Sequence, residues 1–232
     1  MRKDILLYSG GKDSHYLLYK LLKSSIDPII LNYSFSSLND NIRYFNSPCK
    51  KELIELHSEL MNIDIFYFKD EKKLFNFFER DQSLFIKKFF SILNSMFGDF
   101  TLYFGYLKGG MNADRKKIKI MKDIEKSSNG RINIVFPFKD MDLSDIVLET
   151  EKCGIKSICI GIEKSELSKL LGMEINYNFL SLIKNKNIKG EHIQSFVIKS
   201  PLFKGKKIEI TSARKKRIED RFFLNIVNWI VK

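Results

Sequence analysis

The 232-residue sequence predicts an α/β protein, a parallel sheet with helices on both faces plus a smaller C-terminal α+β lobe. Three observations point there. The strand-like segments of the first half are short, unbroken apolar runs, the pattern of parallel strands covered on both faces. Through Gly105 they alternate with stretches of helical period, as β-α-β crossover units require. Beyond residue 161 the alternation loosens, and two strand-like runs fall close together.

Taken in order, the first strand covers residues 4–8, Asp-Ile-Leu-Leu-Tyr. A glycine turn follows, then a helix carrying Tyr16, Leu17, Tyr19 and Leu21 that ends near Ser24 and Ser25. Pro28 precedes a second strand over 29–33, and a polar loop over 34–47 leads to a helix from Pro48. In that helix Leu53, Leu56, Leu60 and Met61 share one side. The third strand is 63–68, residues 71–97 are helical with a break, and the fourth strand is 101–105. The same order continues with a helix over 112–126, a strand over 132–136, a helix over 144–153 and a strand over 155–161. Short helices over 165–171 and 175–184 precede two antiparallel strands, 195–199 and 206–210. The apolar tail 221–231 is expected to dock on the core. Neither an internal repeat nor a Pro/Gly/Ser linker is evident. The boundary is placed at Pro137, giving domains over 1–137 and 138–232.

At 44% hydrophobic and 29% charged the chain reads as globular rather than disordered. No apolar run approaches the ~20 residues that cross a bilayer, and Met1-Arg2-Lys3-Asp4 lacks a signal-peptide pattern. A cytoplasmic location without a membrane partner is the expectation. Cys49, Cys153 and Cys159 include no CxxC pair and accompany only three histidines, so free thiols packed as small hydrophobes are expected. The net charge of +12 suits phosphate-rich partners such as ATP, tRNA or the ribosome. The Lys, Ile, Asn and Phe usage also fits an AT-biased genome, which raises lysine without regard to function, so the charge permits such partners without selecting one.

Ser9-Gly10-Gly11-Lys12-Asp13-Ser14 lies between the first strand and the first helix. Open α/β sheets bind ligands at the carboxyl ends of their strands. A helix N-terminus there offers unpaired N–H groups and a positive dipole end to phosphate. Two glycines let the backbone approach phosphate oxygens closely. Ser9 and Ser14 can add hydroxyl donors and Lys12 a charge, while Asp13 is tolerable beside phosphate only with a cation between, which suggests magnesium. The loop is neither a Walker A motif, which would need glycine at Leu6 and Ser or Thr at Asp13, nor a GxGxxG fingerprint.

Placed after an apolar strand, this loop resembles that of the PP-loop ATP pyrophosphatases. Within them the chain resembles the diphthine–ammonia ligase family over nearly its whole length. The later residues that carry the resemblance are Gly190-Glu191, the run Ser195-Phe196-Val197-Ile198-Lys199-Ser200-Pro201-Leu202-Phe203-Lys204, and Leu171-Gly172. Gly105, Arg115 and Pro137 also fall in the family's order. Departures occur at Gly190-Glu191-His192-Ile193-Gln194-Ser195, one residue out of step, at Tyr106 in place of aspartate, at Arg115, two residues late, and at Phe138 in place of tryptophan. They fall where the substrate should sit.

The resemblance implies an adenine nucleotide α-hydrolase-like (HUP) fold that uses ATP and Mg2+. It further implies adenylation of a carboxylate with release of pyrophosphate, followed by displacement of AMP by ammonia. The carboxylate would belong to a modified histidine of a translation elongation factor. Ser9, Gly10, Gly11, Lys12, Asp13, Ser14 and Gly105 would hold the nucleotide, with Lys12, Asp13 and Ser14 acting in catalysis and Asp13 near the metal. Arg115, Glu191 and His192 would lie toward the substrate. Two other readings stay open: a PP-loop enzyme acting on tRNA, though without the CxxC pair of cysteine-dependent thiolation, and a nucleotide-binding regulator without turnover.

Other residues have ordinary readings as well. His57, in mid-helix, reads as a surface or half-buried residue, and His15 could face either the nucleotide or the sheet. Arg115, Lys119, Lys122 and Lys126 form a basic stripe at helical spacing, most simply a solvated face. The cluster Arg214-Lys215-Lys216-Arg217 reads the same way, with a partner surface as the alternative, and the phenylalanines of 75–90 read as core.

Overall fold

The computed structural model describes residues 2–32, 51–67, 82–184, 186, 192–218 and 221–232. At its centre lies β1 (Lys3–Leu7), in which Ile5 and Leu6 are both 0% exposed. Successive side chains of a strand point to opposite faces. Leu6 and Tyr8 accordingly enter one apolar cluster, and Ile5 and Leu7 enter another. A strand covered on both faces has no polar face to alternate with, which explains the unbroken run.

Four further strands complete the parallel sheet: β2 (Ile29–Asn32), β3 (Ile65–Tyr67), β4 (Phe100–Tyr103) and β5 (Ile132–Val135), in the order β3-β2-β1-β4-β5. Leu6 pairs with Ile30 on one side and Tyr103 on the other. The chain moves outward to β2 and β3, then returns across β1 to lay down β4. The order therefore reverses between β1 and β4, where open sheets form their ligand crevice.

One face is covered by α1 (Lys12–Lys23), α2 (Lys51–Met61) and, beyond β5, α6 (Leu143–Lys152). The other is covered by α3 (Gln82–Phe97) and α5 (Arg115–Ser127), which supply Phe85, Phe89, Phe90, Leu93 and Met121. Each such side chain contributes about 1.5–3 kcal/mol on burial. The expectation of a phenylalanine core holds for these residues, while Phe75, Phe77 and Phe78 lie outside the described residues, as do the 34–47 loop and the start of the helix at Pro48. Helix α6 opens with a reciprocal cap: Asp142 accepts from the amides of Ser144 and Asp145, and Asp145 accepts from that of Asp142.

The helix expected over 112–126 is two helices, α4 (Lys108–Ala113) and α5, parted at Asp114. The carboxylate of Asp114 is held by Tyr106 Oη at 2.8 Å and Lys117 Nζ at 2.8 Å, which fixes the corner.

A second sheet, order β7-β6-β9-β8, is antiparallel throughout: β6 (Lys156–Ile162), β7 (Ile193–Lys199), β8 (Ile208–Ile218) and β9 (Arg221–Val231). The 155–161 segment thus does not extend the parallel alternation. The run at 206–210 only begins an 11-residue strand whose partner is β9 rather than β7, which it touches through a single bridge, Lys199 to Lys207. The tail docks on the core as expected, through Ile226 with Phe222, Leu224 and Trp229 around it, and does so as a strand. The cause is visible in β8, where Arg214 to Arg217 hide a strand behind residues with weak β preference. A short α7 (Tyr177–Ile183) and a 3-10 turn (Ser165–Leu170) connect β6 to β7.

All described parallel strands precede Pro137 and all antiparallel ones follow it, yet one apolar cluster runs across both. Leu6 and Leu17 share it with Ile158, Phe196, Phe203 and Ile226. The second sheet is therefore packed on the α1 face of the first. Among the described residues no helix is long and apolar enough to cross a membrane.

Candidate phosphate-binding loop

β1 delivers the chain to the switch point, and Ser9-Gly10-Gly11 turns it into α1. Gly10 has φ +77°, which favours glycine, and a Cβ there would come within 2.6 Å of Ile54 Cδ1 and push that side chain aside. Gly11 is the N-cap in extended conformation, with no side chain to cap the helix. The first intrahelical bond runs from His15 N to Gly11 O at 3.0 Å. The amides of Asp13 and Ser14 lie in the first turn, where no acceptor exists within the helix.

Side chains brace the turn. Ser14 Oγ donates to Gly11 O at 3.2 Å and accepts from Ser9 N at 3.1 Å. With the Ser14 proton so committed, Ser9 Oγ, 3.0 Å away, donates to Ser14 Oγ. Gly105, at the end of β4, closes the other side of the crevice. A Cβ there would lie 3.1 Å from both Asp13 C and Ser14 N, so a side chain would press on the first turn of α1.

The second lobe reaches the same turn. Lys12 N donates to Ser195 Oγ at 2.9 Å, and Val197 N donates to Gly10 O at 3.0 Å. Ser195 on β7 thus occupies one first-turn amide and keeps its own hydroxyl proton to give. Sequence reasoning placed Ser195 within the family-like run without assigning it to the loop, since nothing local reveals a contact across 183 residues.

Lys12 is 1% exposed, and its ammonium meets Asp13 Oδ1 at 2.7 Å. The loop is open to solvent mainly at Ser9 and Asp13, which are half-buried. Burial pushes the Cys159 thiol up to about 12, against smaller downward pulls from its contact with Gly161 O and from the charge of Lys12. Cys159 is an inert buried thiol, Cys153 is half-buried, and Cys49 lies outside the described residues.

Beneath the loop runs a buried polar chain. Tyr8 Oη lies 2.8 Å from His15 Nδ1 and 2.7 Å from His57 Nδ1. His15 Nε2 lies 2.7 Å from Ser200 Oγ, and His57 Nε2 lies 2.7 Å from Val197 O. Both rings are 0% exposed, and burial holds both neutral: His57 is lowered to about 4, and His15 well below 6.5 with further help from His57. The proton positions then follow. A carbonyl only accepts, so His57 carries its proton on Nε2 and its Nδ1 takes the Tyr8 hydroxyl proton. Tyr8 oxygen must accept from His15 Nδ1–H, which leaves His15 Nε2 to accept from Ser200 Oγ–H. Leu202 N in turn donates to Ser200 Oγ at 3.1 Å.

His57 is therefore neither a surface nor a half-buried residue. Its burial was readable, because Leu53, Ile54, His57, Leu60 and Met61 follow the spacing of one buried helical face. His15 faces the second lobe.

The structure thus brings together Ser9, Gly10, Gly11, Lys12, Asp13, Ser14 and Gly105. Arg115 and His192 are bonded elsewhere. Arg115 is exposed at the start of α5 with Nη2 on Asn112 Oδ1 at 3.0 Å, and His192 Nε2 lies 3.8 Å from Glu163. Glu191 lies outside the described residues. Lys119 and Lys126 of the basic stripe are exposed, while Lys122 reaches Glu125 and Ile134 O.

Among the described residues no three His, Cys, Asp or Glu side chains stand where they could hold a metal. Asp13 alone supplies a carboxylate to the loop, which fits an ion carried in by a nucleotide's phosphates rather than one caged by protein.

No family model matches the chain, and no curated protein matches its sequence. Among solved structures, the chain is similar to the crystal structure of a predicted subunit of tRNA methyltransferase from Methanocaldococcus jannaschii. The two share 16% identity at a TM-score of 0.50, over 86% of this chain and 98% of that one. At that identity the likeness speaks for the fold: a five-stranded parallel α/β sheet with a small antiparallel lobe.

Proposed function

We propose that the chain is an ATP-dependent tRNA-modifying protein of the PP-loop type. The observation that carries the reading is the glycine turn and first turn of α1 at the sheet's switch point, with Gly105 pressed against them. Those first-turn amides and the positive end of the helix suit a triphosphate. In the proposed reaction an oxygen of the tRNA base attacks the α-phosphorus of ATP. The bond to the bridging oxygen breaks, and pyrophosphate leaves with the bonding electrons. An amine or thiol then attacks the base carbon bearing the adenylated oxygen and loses its proton to solvent, and AMP departs with that oxygen. The chain's part is electrostatic: Asp13 and Ser14 amides, the Ser195 hydroxyl and the Lys12 ammonium would face charge building on the leaving group. Magnesium would arrive with ATP, share the phosphates with Asp13 and neutralise charge. The description of the structural neighbour favours tRNA as acceptor, and the net charge of +12 permits it.

A second reading is an amide-forming ligase like diphthine–ammonia ligase. It is favoured by the position of the tract that carries that resemblance, since Ser195 lies on Lys12 N and Ser200 on His15. One assay separates the readings. The protein is incubated with Mg-ATP alone, with tRNA, or with an elongation factor and ammonium, and AMP and pyrophosphate are measured. Release that depends on tRNA supports the proposal, and release that depends on the factor and ammonium supports the ligase. Tight ATP binding with no release in any mixture makes the chain a regulator.

A further inference from the structure

We propose that β8, β9 and the groove beside them form a docking surface for the phosphate backbone of RNA; this rests on the tRNA reading above. A groove of about 590 Å³ opens on the antiparallel sheet, with Ile158, Ile198 and Leu224 in its floor and Lys156, Lys199 and Lys207 along it. Lys156 stands directly opposite Lys199, and Lys199 bridges to Lys207. Like charges on facing strands cost stability unless an anion joins them. The two carboxylates in the groove are already engaged, Glu174 with Lys156 at 3.1 Å and Glu209 with Lys232 at 2.7 Å.

The positive strip continues along the hairpin. Lys215 pairs with Leu224 and Arg217 with Phe222, and cross-strand partners share a face. Both cations therefore stand on the side of the sheet that Leu224 gives to the groove. From Lys207 to Arg217 the strand extends about 33 Å, long enough to follow several phosphates. Arg217 lies over the Phe222 ring at 5.6 Å, a cation and aromatic pair of the kind on which an unpaired base stacks. Of the five cations from 214 to 221, Lys215 and Arg217 share this face, Arg214 and Lys216 alternate to the other, and Arg221 is held by Glu163 at 2.8 Å.

This surface is tied to the loop. β9 pairs with β6, β6 with β7, and β7 meets the loop through Ser195 and Val197. The start of β8 also meets β7 directly, through the bridge from Lys207 to Lys199. An RNA held along β8 can thus present one base at the crevice. A polyanion fits these features better than an acidic protein, because the cations form a long file at strand spacing with an apolar floor rather than a compact cluster.

The test measures binding of unfractionated tRNA by fluorescence anisotropy across a salt series. It compares the wild type, Lys215→Glu/Arg217→Glu, the milder Lys215→Gln/Arg217→Gln, and the control Lys116→Glu/Lys119→Glu on α5, which spares Arg115 because the resemblance sets that residue toward the substrate. ATP binding and thermal melts of every variant establish that the loop and fold are intact. The hairpin variants are expected to bind tRNA at least ~10-fold more weakly, with the salt slope reduced by ~1.5 to 2, and to bind ATP as before. Equal tRNA binding by the wild type and the glutamine variant overturns the proposal. So does a loss confined to the α5 control, an absence of tRNA binding by the wild type, or displacement of tRNA by anionic vesicles with the vesicles bound more tightly. Hairpin-dependent tRNA binding without any AMP release leaves the docking surface standing and removes the proposed reaction.

Discussion

Replacing Tyr8 by Phe takes one oxygen from a site that is 2% exposed and leaves the ring in place, so the cost isolates the polar chain beneath the loop. In the wild type that oxygen accepts from His15 and donates to His57, both fully buried. Phe leaves His57 Nδ1 and His15 Nδ1 without partners. His15 can move its proton to Nε2 and donate to Ser200, but its Nδ1 lone pair then stays buried and unpaired. An unpaired buried polar group costs about 1–3 kcal/mol, so the pair should cost about 3 kcal/mol. For a chain of this size that is a fall in Tm of about 6–12 °C. Urea unfolding and thermal melts measure it, with Tyr103→Phe as control, because the Tyr103 hydroxyl is half-buried on Asp4 at 3.0 Å. The control should lose less than Tyr8→Phe, because water reaches the half-buried Asp4 carboxylate once the hydroxyl is gone. A loss of less than about 0.5 kcal/mol in Tyr8→Phe, or one equal to the control, refutes the directed chain from Ser200 to Val197.

Acidification tests the same histidines. Burial holds His57 near 4 and His15 well below 6.5 in the fold, so between those values the unfolded chain binds more protons than the folded one. Their contribution is complete above about pH 6.5 and is lost as pH falls toward 4, about 3 kcal/mol for His57 alone. Urea unfolding at pH 7 and at pH 4.5 should show that loss, with a smaller change in His57→Gln, and a stability that rises on acidification contradicts the assignment. Gly105→Ala puts a methyl group 3.1 Å from the first turn of α1 and should weaken ATP binding ~10-fold or more while the protein stays folded, as measured by calorimetry. Ser14→Ala removes the hydroxyl that braces the turn, and Asp13→Ala removes its only carboxylate. Each should lower AMP release ~100-fold with the melt little changed, and unchanged release in both removes the loop from catalysis.

Much of the parallel sheet was legible because buried strands and their crossover helices are local patterns. The runs at β1 and β4 and the spacing of α1 announce themselves within a few residues. The loop was legible for the same reason, since its glycines and serines act on their own turn. What escaped was set by contacts distant in sequence. β8 and β9 stabilise each other by pairing, and neither Arg214 to Arg217 nor the apolar tail reveals a partner when read alone. Ser195 reaches the loop only because β7 packs against it, and Tyr8 joins His15 and His57 only after α1 and α2 are laid on one face of the sheet. Arg115 was singled out by its order along the chain alone, and it stands exposed at the start of α5 with Nη2 on Asn112.

The most direct measurement is the product of ATP turnover by the wild-type protein with magnesium and tRNA. Appearance of AMP and pyrophosphate in equal amounts, dependent on tRNA and lost in Asp13→Ala, is the predicted result. ADP with inorganic phosphate, or release that Asp13→Ala leaves untouched, contradicts a triphosphate split on this loop.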